Sequence, residues 1–385
     1  MKNVIGVTRR VALLPAMGVG LIYPLAQAAE RKVKALETPA LKVARPTLAA
    51  YQAVTRADKR LVAVGERGLV VYSDDAGQSW KQASVPVSCT LTAVRFADAK
   101  RGWAVGNMGV VLTTDDAGES WRRCLDGQTA AQLSLVAARA QLEASKPGSD
   151  AMAQGNLLVE DAQRLVAEGA DKPLLDLAFI DDGSLWVVGA FGMAFSSADG
   201  GRSWKSQIHR LPNPEGLSYY GLAQRNRECL LYGEQGLLVR APQAVEPYTA
   251  DTLPSNGSLF GSLALREGPL MLLGLRGKAW RSAEPGAPWA AVQTPVDASL
   301  VAGTQLTDGR VLLAGVAGQL LQSHDGGQHF RPLALSDRFP FTGLTEAEDG
   351  SLLLVGMRGI MRLTANELKT AAAPSSPAPA RKSPV

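Results

Sequence analysis

Residues 62–80 read VAVGERGLVVYSDDAGQSW, and this stretch decides the fold because it recurs along the chain. Close copies are WAVGNMGVVLTTDDAGESW at 103–121, WVVGAFGMAFSSADGGRSW at 186–204 and LLAGVAGQLLQSHDGGQHF at 312–330. Weaker copies begin at residues 230, 271 and 353. Each copy contains a G-x-x-G tetrapeptide, and the first glycines of the seven tetrapeptides are 41, 83, 44, 41, 41 and 41 residues apart. A period of this size is typical of a repeat protein.

One repeat contains four short segments with strand character. In the second copy these are LTAVRF (91–96), WAVG (103–106), VVLTT (110–114) and WRRCL (121–125), separated by turn-rich sequence. Four short antiparallel strands in about 41 residues are typical of one propeller blade. Seven repeats therefore predict an all-β, seven-bladed β-propeller.

Two kinds of turn recur in every strong copy. In G-x-x-G we expect glycine to supply the positive φ of a tight hairpin. In the second turn, S-x-D-x-G-x-x-W, we expect the aspartate and the hydroxyl to bond turn amides, the glycine to take a special backbone angle, and the tryptophan to pack beneath the turn. We call these the hydroxyl–aspartate turns: Ser73, Asp75, Gly77 and Trp80; Thr114, Asp116, Gly118 and Trp121; Ser197, Asp199, Gly201 and Trp204; Ser323, Asp325, Gly327 and Phe330; and a degenerate copy, Ser282, Glu284, Gly286 and Trp289.

These turns are interpreted as structural Asp-boxes. A phosphate-binding loop needs G-K-[ST] between a strand and a helix, which the sequence lacks. A calcium loop needs alternating acidic residues and a closing glutamate, which the turns also lack.

The interval of 83 residues interrupts the period. Residues 129–168 are rich in alanine and leucine at helical spacing, and they contain no Asp-box. We predict a helical hairpin at 128–169, inserted between blades two and three.

The two ends of the chain differ from the repeats. The N-terminus has the order of features of a signal peptide: the basic residues Lys2, Arg9 and Arg10, an apolar stretch at 11–25 and an A-x-A site at 26–28. We therefore predict a signal peptide over 1–28 and export to the periplasm, by the Sec route rather than the twin-arginine route. We expect a linker at 29–38, the propeller at 39–366 and a disordered Pro/Ala/Ser tail at 367–385. The last repeat has three strands, so ALKVARP (40–46) is predicted to form the outer strand of blade seven.

Composition argues against several functional classes. Cleavage after residue 28 would remove three basic residues and no acidic ones, which lowers the formal net charge from +4 to +1. Charge therefore gives no support for nucleic-acid binding.

The chain has three cysteines, Cys89, Cys124 and Cys229, without a C-x-x-C motif. Either one disulfide with a leftover thiol or three free thiols is compatible with this pattern. No metal or cofactor is predicted.

Two of the repeats resemble those of the photosystem II stability and assembly factors. They are GWAVG at 102–106 followed by Thr114–Trp121, and LWVVG at 185–189 followed by Ser197–Trp204. The resemblance covers roughly residues 40–365. It implies a seven-bladed propeller that binds a membrane protein during assembly. Relatives outside photosynthesis often accompany resistance-nodulation-division exporters, which implies a periplasmic accessory role for a monomeric scaffold. The helical insertion departs from the family pattern and puts direct transfer of the partner in doubt.

An Asp-box sialidase, another glycosidase or a carbohydrate-binding propeller is the alternative. Sialidases need an arginine triad, a tyrosine nucleophile and an acid, and their F-R-I-P signature is approximated here only by Phe330-Arg331-Pro332, directly after an Asp-box. His209, His324 and His329 suggest neither a metal site nor a catalytic triad. We therefore predict no enzymatic activity.

Blade topology predicts where a partner would bind. The G-x-x-G turns, the links between blades and the insertion should share one face, and the hydroxyl–aspartate turns should lie on the other. Arginine with aromatic residues is typical of an interaction surface. The predicted partner-binding residues are Arg67, Arg276, Arg358, Tyr219, Tyr220, Phe260 and Phe341. The alternative is that the arginines are separate and the aromatic residues pack between blades.

Overall fold

Seven small antiparallel sheets follow one another along the chain, as the repeat predicts. The computed structural model describes residues 33–180, 183–241 and 247–371. The predicted signal peptide, residues 29–32 of the predicted linker and residues 372–385 of the predicted tail lie outside the described residues.

The first three blades have four strands each, in sequence order within each sheet. Blade one is β1 (Tyr51–Ala57), β2 (Arg60–Gly65), β3 (Val70–Ser73) and β4 (Lys81–Gln82). Blade two is β5 (Leu91–Phe96), β6 (Gly102–Gly106), β7 (Val111–Thr114) and β8 (Arg122–Leu125). Blade three is β9 (Leu174–Phe179), β10 (Leu185–Gly189), β11 (Ala194–Ser197) and β12 (Lys205–Ser206).

The remaining blades repeat the pattern, except that three strands are described for the last. Blade four is β13 (Tyr219–Arg225), β14 (Glu228–Gly233), β15 (Leu238–Ala241) and β16 (Thr249–Ala250). Blade five is β17 (Leu259–Ala264), β18 (Leu270–Gly274), β19 (Ala279–Ser282) and β20 (Ala290–Val292). Blade six is β21 (Leu300–Gln305), β22 (Val311–Gly315), β23 (Leu320–Ser323) and β24 (Arg331–Pro332). Blade seven is β25 (Phe341–Glu346), β26 (Leu352–Gly356) and β27 (Gly359–Leu363).

In the described part of the chain, four α-helices accompany the strands: α1 (Lys34–Glu37), α2 (Gly127–Ala144), α3 (Asp150–Glu168) and α4 (Ala365–Ala371). The predicted seven-bladed propeller with a helical hairpin between blades two and three is confirmed.

The core lies between blades. The second strand of each sheet is an almost continuous apolar run, such as GWAVG in β6 and LWVVG in β10, and both strands are buried along their whole length. A strand with one solvated face would alternate, whereas a strand covered on both faces does not. Val62 and Val64 of β2 pack with Ala104 of β6 and Leu112 of β7 in one cluster, which shows how one blade covers the next.

The first glycine of G-x-x-G has a role that differs from our expectation. Its backbone is extended, with φ of −174° at Gly106, while the second glycine, Gly109, takes the expected positive φ of 63°. A Cβ at Gly106 would lie 2.3 Å from the carbonyl oxygen of Thr90. The first glycine is therefore required for close approach of two backbones.

That close approach permits a hydrogen bond that recurs in every blade. In blade two the amide of Asn107 donates to the carbonyl of Thr90, directly before β5, at 2.9 Å. In the other blades, too, the residue after the first glycine donates its amide to the carbonyl of the residue directly before the innermost strand. The donor and acceptor pairs are Glu66 to Ala50, Ala190 to Pro173, Glu234 to Ser218, Leu275 to Ser258, Val316 to Ser299 and Met357 to Pro340.

The hydroxyl–aspartate turns have the predicted hydrogen bonds. In the first, Gly77 N donates to Ser73 Oγ at 2.9 Å, and Ser79 N donates to Asp75 Oδ1 at 2.8 Å. The hydroxyl of Ser79, followed by its amide, lowers the pKa of Asp75 to about 2. Trp80 Nε1 donates to the carbonyl of Gly77 at 3.2 Å beneath the turn. These turns are satisfied by their own side chains.

The degenerate turn at Ser282 obtains its carboxylate from the neighbouring blade. Gly286 N donates to Oε1 of Glu228, a fully buried side chain of β14, at 3.0 Å. Arg225 pairs with Glu228 and donates from Nη1 to the carbonyl of Ser282 at 2.9 Å. A buried ion pair thus joins blades four and five where the local aspartate is missing.

Ring closure is where the sequence prediction fails. Residues 40–46 do not form the outer strand of blade seven; they lie beside the outer strand of blade one, where Val43 N donates to Gln82 Oε1 at 3.0 Å. Blades seven and one instead join by side-to-side packing, with Thr342 Oγ1 donating to the carbonyl of Tyr51 at 2.8 Å and Leu353 packed on Leu61. Lateral apolar contact, the same as between other blades, is sufficient there.

Two terminal segments are also more ordered than predicted. Within the predicted linker, α1 buries Leu36 against blades one and two, and Ser88 N donates to the carbonyl of Ala35 at 2.8 Å. Within the predicted tail, α4 extends to Ala371 and buries Leu368 in the core of blades six and seven. Single leucines anchor both segments.

The close approach at the first glycine gives a stability prediction. Gly106→Ala should lower the free energy of unfolding by about 1–3 kcal/mol, because the new methyl group overlaps the Thr90 carbonyl and forces the backbones apart. Gly257→Ala is the control, since its Cβ would meet no atom nearer than 3.5 Å. Denaturant midpoints measure both. Equal stabilities of the two variants would contradict the proposed role of the first glycine.

Candidate functional site

The G-x-x-G turns lie together at one end of the propeller. Each innermost strand begins beside the glycine that ends the second strand, as in the pairing of Tyr51 with Gly65. We call this end the G-x-x-G face. The hairpin joins β8 to β9 at the same end, and α2 begins against the Asn107–Gly109 turn, where Gly127 packs on Gly109. The hydroxyl–aspartate turns lie at the opposite ends of the strands.

The three predicted arginines are exposed on this face. Arg67 and Arg276 lie in the turns of blades one and five with left-handed φ of 51° and 54°. Arg358, in the turn of blade seven, has Nη1 3.7 Å from Oδ1 of Asp337, and both side chains are about two-thirds exposed. An exposed pair of this kind contributes little to stability, so all three guanidinium groups are accessible to solvent.

Two of the predicted aromatic residues are not surface residues. Tyr219 and Phe341 are fully buried, and Phe341 packs edge-on against Phe339 with ring centroids 4.9 Å apart. The first residue of every innermost strand is fully buried between blades: Tyr51, Leu91, Leu174, Tyr219, Leu259, Leu300 and Phe341. Tyr219 and Phe341 are therefore not exposed on the G-x-x-G face, and their contact with a partner stays a prediction.

The other two aromatic residues occupy the next position along their strands and line the central channel. Because side chains alternate along a strand, a shift of one residue moves a side chain from the core to the opposite face. Tyr220 and Phe260 stack in adjacent blades with centroids 5.7 Å apart and an interplanar angle of 18°. They are half-buried at the G-x-x-G end of the channel.

The channel contains one charged pair. It encloses a cavity of about 180 Å³ lined by residues of all seven innermost strands, with Arg95 as its lining arginine in the described part of the chain. Nη2 of Arg95 lies 3.5 Å from Oδ1 of Asp176, and Leu222 N donates to Oδ2 at 3.1 Å. Burial raises the pKa of Asp176, and the charge of Arg95 opposes that shift.

Exposed apolar residues on the G-x-x-G face were missed by the sequence interpretation. Phe191, Leu275, Val316 and Met357 all occupy the two middle positions of G-x-x-G turns, and each is exposed. Leu48 is exposed beside the turn of blade seven, where its Cα would lie 3.1 Å from a Cβ on Gly359. The signal was present in the repeat, because these side chains all lie at the middle positions of the turns.

The described titratable groups outside the channel form no cluster suited to a metal ion. Within 33–180, 183–241 and 247–371, no group of three or more His, Cys, Asp or Glu residues could hold a metal ion. The three cysteines are free thiols, and burial raises the pKa of Cys89 to about 11. His329 lies on the opposite face with Nδ1 2.7 Å from Oδ2 of Asp325. No helix in those ranges is long and apolar enough to cross a membrane.

Comparisons with known proteins agree with the fold and with the resemblance. The profile of the family described as "Photosynthesis system II assembly factor YCF48" matches residues 72–141. No curated protein sequence matches significantly.

Solved structures with the same fold include "YCF48 bound to D1 peptide" (19% identity, TM-score 0.58, 85% of this chain and 99% of that one) and YCF48 from Cyanidioschyzon merolae (14%, 0.57, 83% and 97%). A streptogramin B lyase shares the fold at 13% identity, with a TM-score of 0.60 over 86% of this chain and 99% of that one. The chain is thus similar to assembly-factor propellers, and the predicted resemblance is confirmed.

Proposed function

We propose that this chain is an exported, non-enzymatic binding scaffold whose G-x-x-G face docks onto a membrane or cell-envelope protein. In this proposal it acts as an assembly, stability or accessory factor, for example of a resistance-nodulation-division exporter. One of the similar structures is a propeller described as bound to a peptide, which supports a protein partner for this fold.

The observation that carries the proposal is the unequal distribution of exposed large apolar side chains. Within the described ranges, five lie on the G-x-x-G face, two on the hairpin and two on the N-terminal segment beside blade one: Leu48, Phe191, Leu275, Val316 and Met357; Val136 and Leu157; Leu41 and Val43. Grouped apolar exposure marks an interaction surface.

The chemistry of the face suits a protein partner. Apolar side chains supply buried area, while the exposed guanidinium groups of Arg67 and Arg276 can form paired hydrogen bonds with carboxylates of the partner. Glu66 and Glu234 lie in the same set of turns, and their carboxylates accept bonds from Ala50 N and Ser218 N. The face therefore combines apolar contact area with exposed arginines.

The proposal of a scaffold without enzymatic activity rests on the channel. A sialidase-type site would need three arginines converging on a substrate carboxylate, whereas the described channel lining includes Arg95 alone, already beside Asp176. The streptogramin B lyase fold match is too distant to transfer an activity.

Export is tested by the mass of the native protein. We expect the protein isolated from the producing cell to begin near Ala29 and to fractionate with the periplasm, because residues 1–28 have the order of features of a signal peptide. Intact-mass spectrometry measures the cleavage. A cytoplasmic protein with residues 1–28 still present would contradict the export proposal.

Docking through the G-x-x-G face is tested by capture of an envelope protein from detergent extract, with identification by mass spectrometry. We expect the combined change Leu275→Ser, Val316→Ser and Met357→Ser to weaken capture at least about tenfold, with the melting temperature nearly unchanged. Capture should also be weakened by the combined change Arg67→Ala, Arg276→Ala and Arg358→Ala.

The matched control changes the opposite face at exposed side chains that make no hydrogen bond or ion pair in the described structure: Arg202→Ala, Glu284→Ala and His324→Ala. This control should capture as the unmodified protein does. Loss of capture with the control, and not with the G-x-x-G variants, would show that the partner binds the opposite face.

A further inference from the structure

The helical hairpin and blade three enclose a cleft that the propeller alone would not have. It is a cavity of about 130 Å³ between α2 and α3 on one side and the turn and the 208–216 segment of blade three on the other. Its walls are of mixed polar and apolar character, and we define this hairpin cleft by its apolar residues Ala137, Leu157, Leu165, Phe191, Ile208 and Leu211. Tyr219 closes its inner side.

We propose that the hairpin cleft binds one apolar side chain of an extended segment of a protein partner, with a lysine or arginine next to that side chain. The inference rests on the proposed function, since it assumes a protein partner, and it assigns to the insertion a specific part in recognition.

The opening of the cleft consists of two unusually exposed apolar side chains. Leu157 is 61% exposed and Phe191 is 58% exposed, and both line the cavity. Phe191 also has a φ of 56°, which is unfavourable for a bulky residue. The same left-handed φ occurs in other blades, as at Arg67 and Arg276, so it belongs to the fold, whereas the exposed part of the Phe191 ring is available to a bound segment.

The walls of the cleft are held in place before any segment binds. Lys172 Nζ lies 5.0 Å from the centroid of the Phe191 ring, and the same ammonium group pairs with Glu168 and Asp171 at 2.7 Å each. On the other wall, Asn213 donates to the carbonyl of Leu217 at 2.8 Å and accepts from its amide at 3.0 Å. A preformed cleft binds with a smaller ordering cost.

The size of the cavity selects the occupant. A cavity of about 150 Å³ lined by Leu, Ile and Phe accommodates benzene, so the hairpin cleft fits one aromatic or branched aliphatic side chain. A bound helix would need a groove for a row of residues at i, i+3, i+4 and i+7.

The charge of the cleft favours a basic residue next to the apolar side chain that enters it. Asp161 is the carboxylate of the lining, and Glu160 and Glu168 are exposed on the same helix. The ion pair of Asp161 with Arg164 is 2.6 Å long, but both side chains are more than half exposed, so it is weak and can be exchanged. A basic residue of the bound segment would find the Asp161 carboxylate in the lining of the cleft.

The experiment uses the full mature chain with three synthetic peptides, acetyl-GKFKG-amide, acetyl-GKAKG-amide and acetyl-GEFEG-amide, and methyl NMR. We expect the first peptide, at concentrations up to about 5 mM, to shift the methyl resonances of Leu157, Leu165, Ile208 and Leu211. Its dissociation constant should be at least about tenfold below those of the other two peptides. Absence of shifts, shifts confined to other methyl groups, or equal affinities would overturn the proposal.

Two variants of α2 separate cavity binding from surface attraction. Ala137→Leu places an isobutyl group in the cleft, and Ala140→Leu places the same group on an exposed position outside it, with nearly equal helix propensity. Peptide binding should be lost with Ala137→Leu and kept with Ala140→Leu. Equal binding by both variants would overturn the proposal.

Other occupants give different results. If the peptide shifts the cleft methyl groups only after deletion of residues 372–385, the chain's own tail is the occupant and the proposal fails. If those methyl resonances move on simple dilution, a second copy is the occupant and the proposal likewise fails.

Failure here is distinguishable from failure of the proposed function. Capture of an envelope protein that is lost with the G-x-x-G variants and unaffected by Ala137→Leu would leave the docking face intact and remove the hairpin cleft from it. Peptide binding in the cleft, together with capture that is insensitive to the G-x-x-G variants, would support the hairpin cleft and contradict docking through the G-x-x-G face.

Discussion

A backbone hydrogen bond repeated in seven blades determines the architecture of the G-x-x-G face. The residue after the first glycine of each G-x-x-G turn donates its amide to the carbonyl before the innermost strand, and a Cβ on that glycine would collide with the same carbonyl, as at Gly106. The bond fixes the turn against the start of the strand. Several middle side chains of these turns then project into solvent, as Leu275, Val316 and Met357 do.

The two ends of the propeller differ because their turns are satisfied differently. A hydroxyl–aspartate turn uses its own polar side chains, as when Asp75 accepts from Ser79 and Ser73 bonds Gly77, so its exterior is polar and complete. A G-x-x-G turn is held mainly by backbone hydrogen bonds, with added side-chain bonds in some blades, such as those from Ala50 N to Glu66 and from Ser218 N to Glu234. Other middle positions carry exposed arginine or apolar residues, which the proposed docking uses, and the hairpin extends the same face.

The blade architecture could be predicted from the sequence because it depends on short-range, periodic signals. The period of 41 residues, the turn chemistry and the change from alternating to helical spacing at 128–169 each have a local physical cause. The placement of Tyr219 and Tyr220 has no such local signal. These residues are neighbours in sequence, yet the ring of Tyr219 lies in the core and the ring of Tyr220 lies in the channel. Ring closure was mispredicted because residues 40–46 are held beside blade one by Gln82, a contact between distant segments that no periodicity shows. The hairpin cleft also arises from tertiary packing and was beyond prediction.

The claim that the G-x-x-G face is the docking face can be tested most directly by photo-crosslinking in the producing cell. Benzoylphenylalanine is placed at Val316 in the turn of blade six or at Glu284 on the opposite face, both exposed positions. The account predicts that irradiation joins an envelope protein to the chain carrying the probe at Val316 and not to the chain carrying it at Glu284. Crosslinking from Glu284 alone would contradict it.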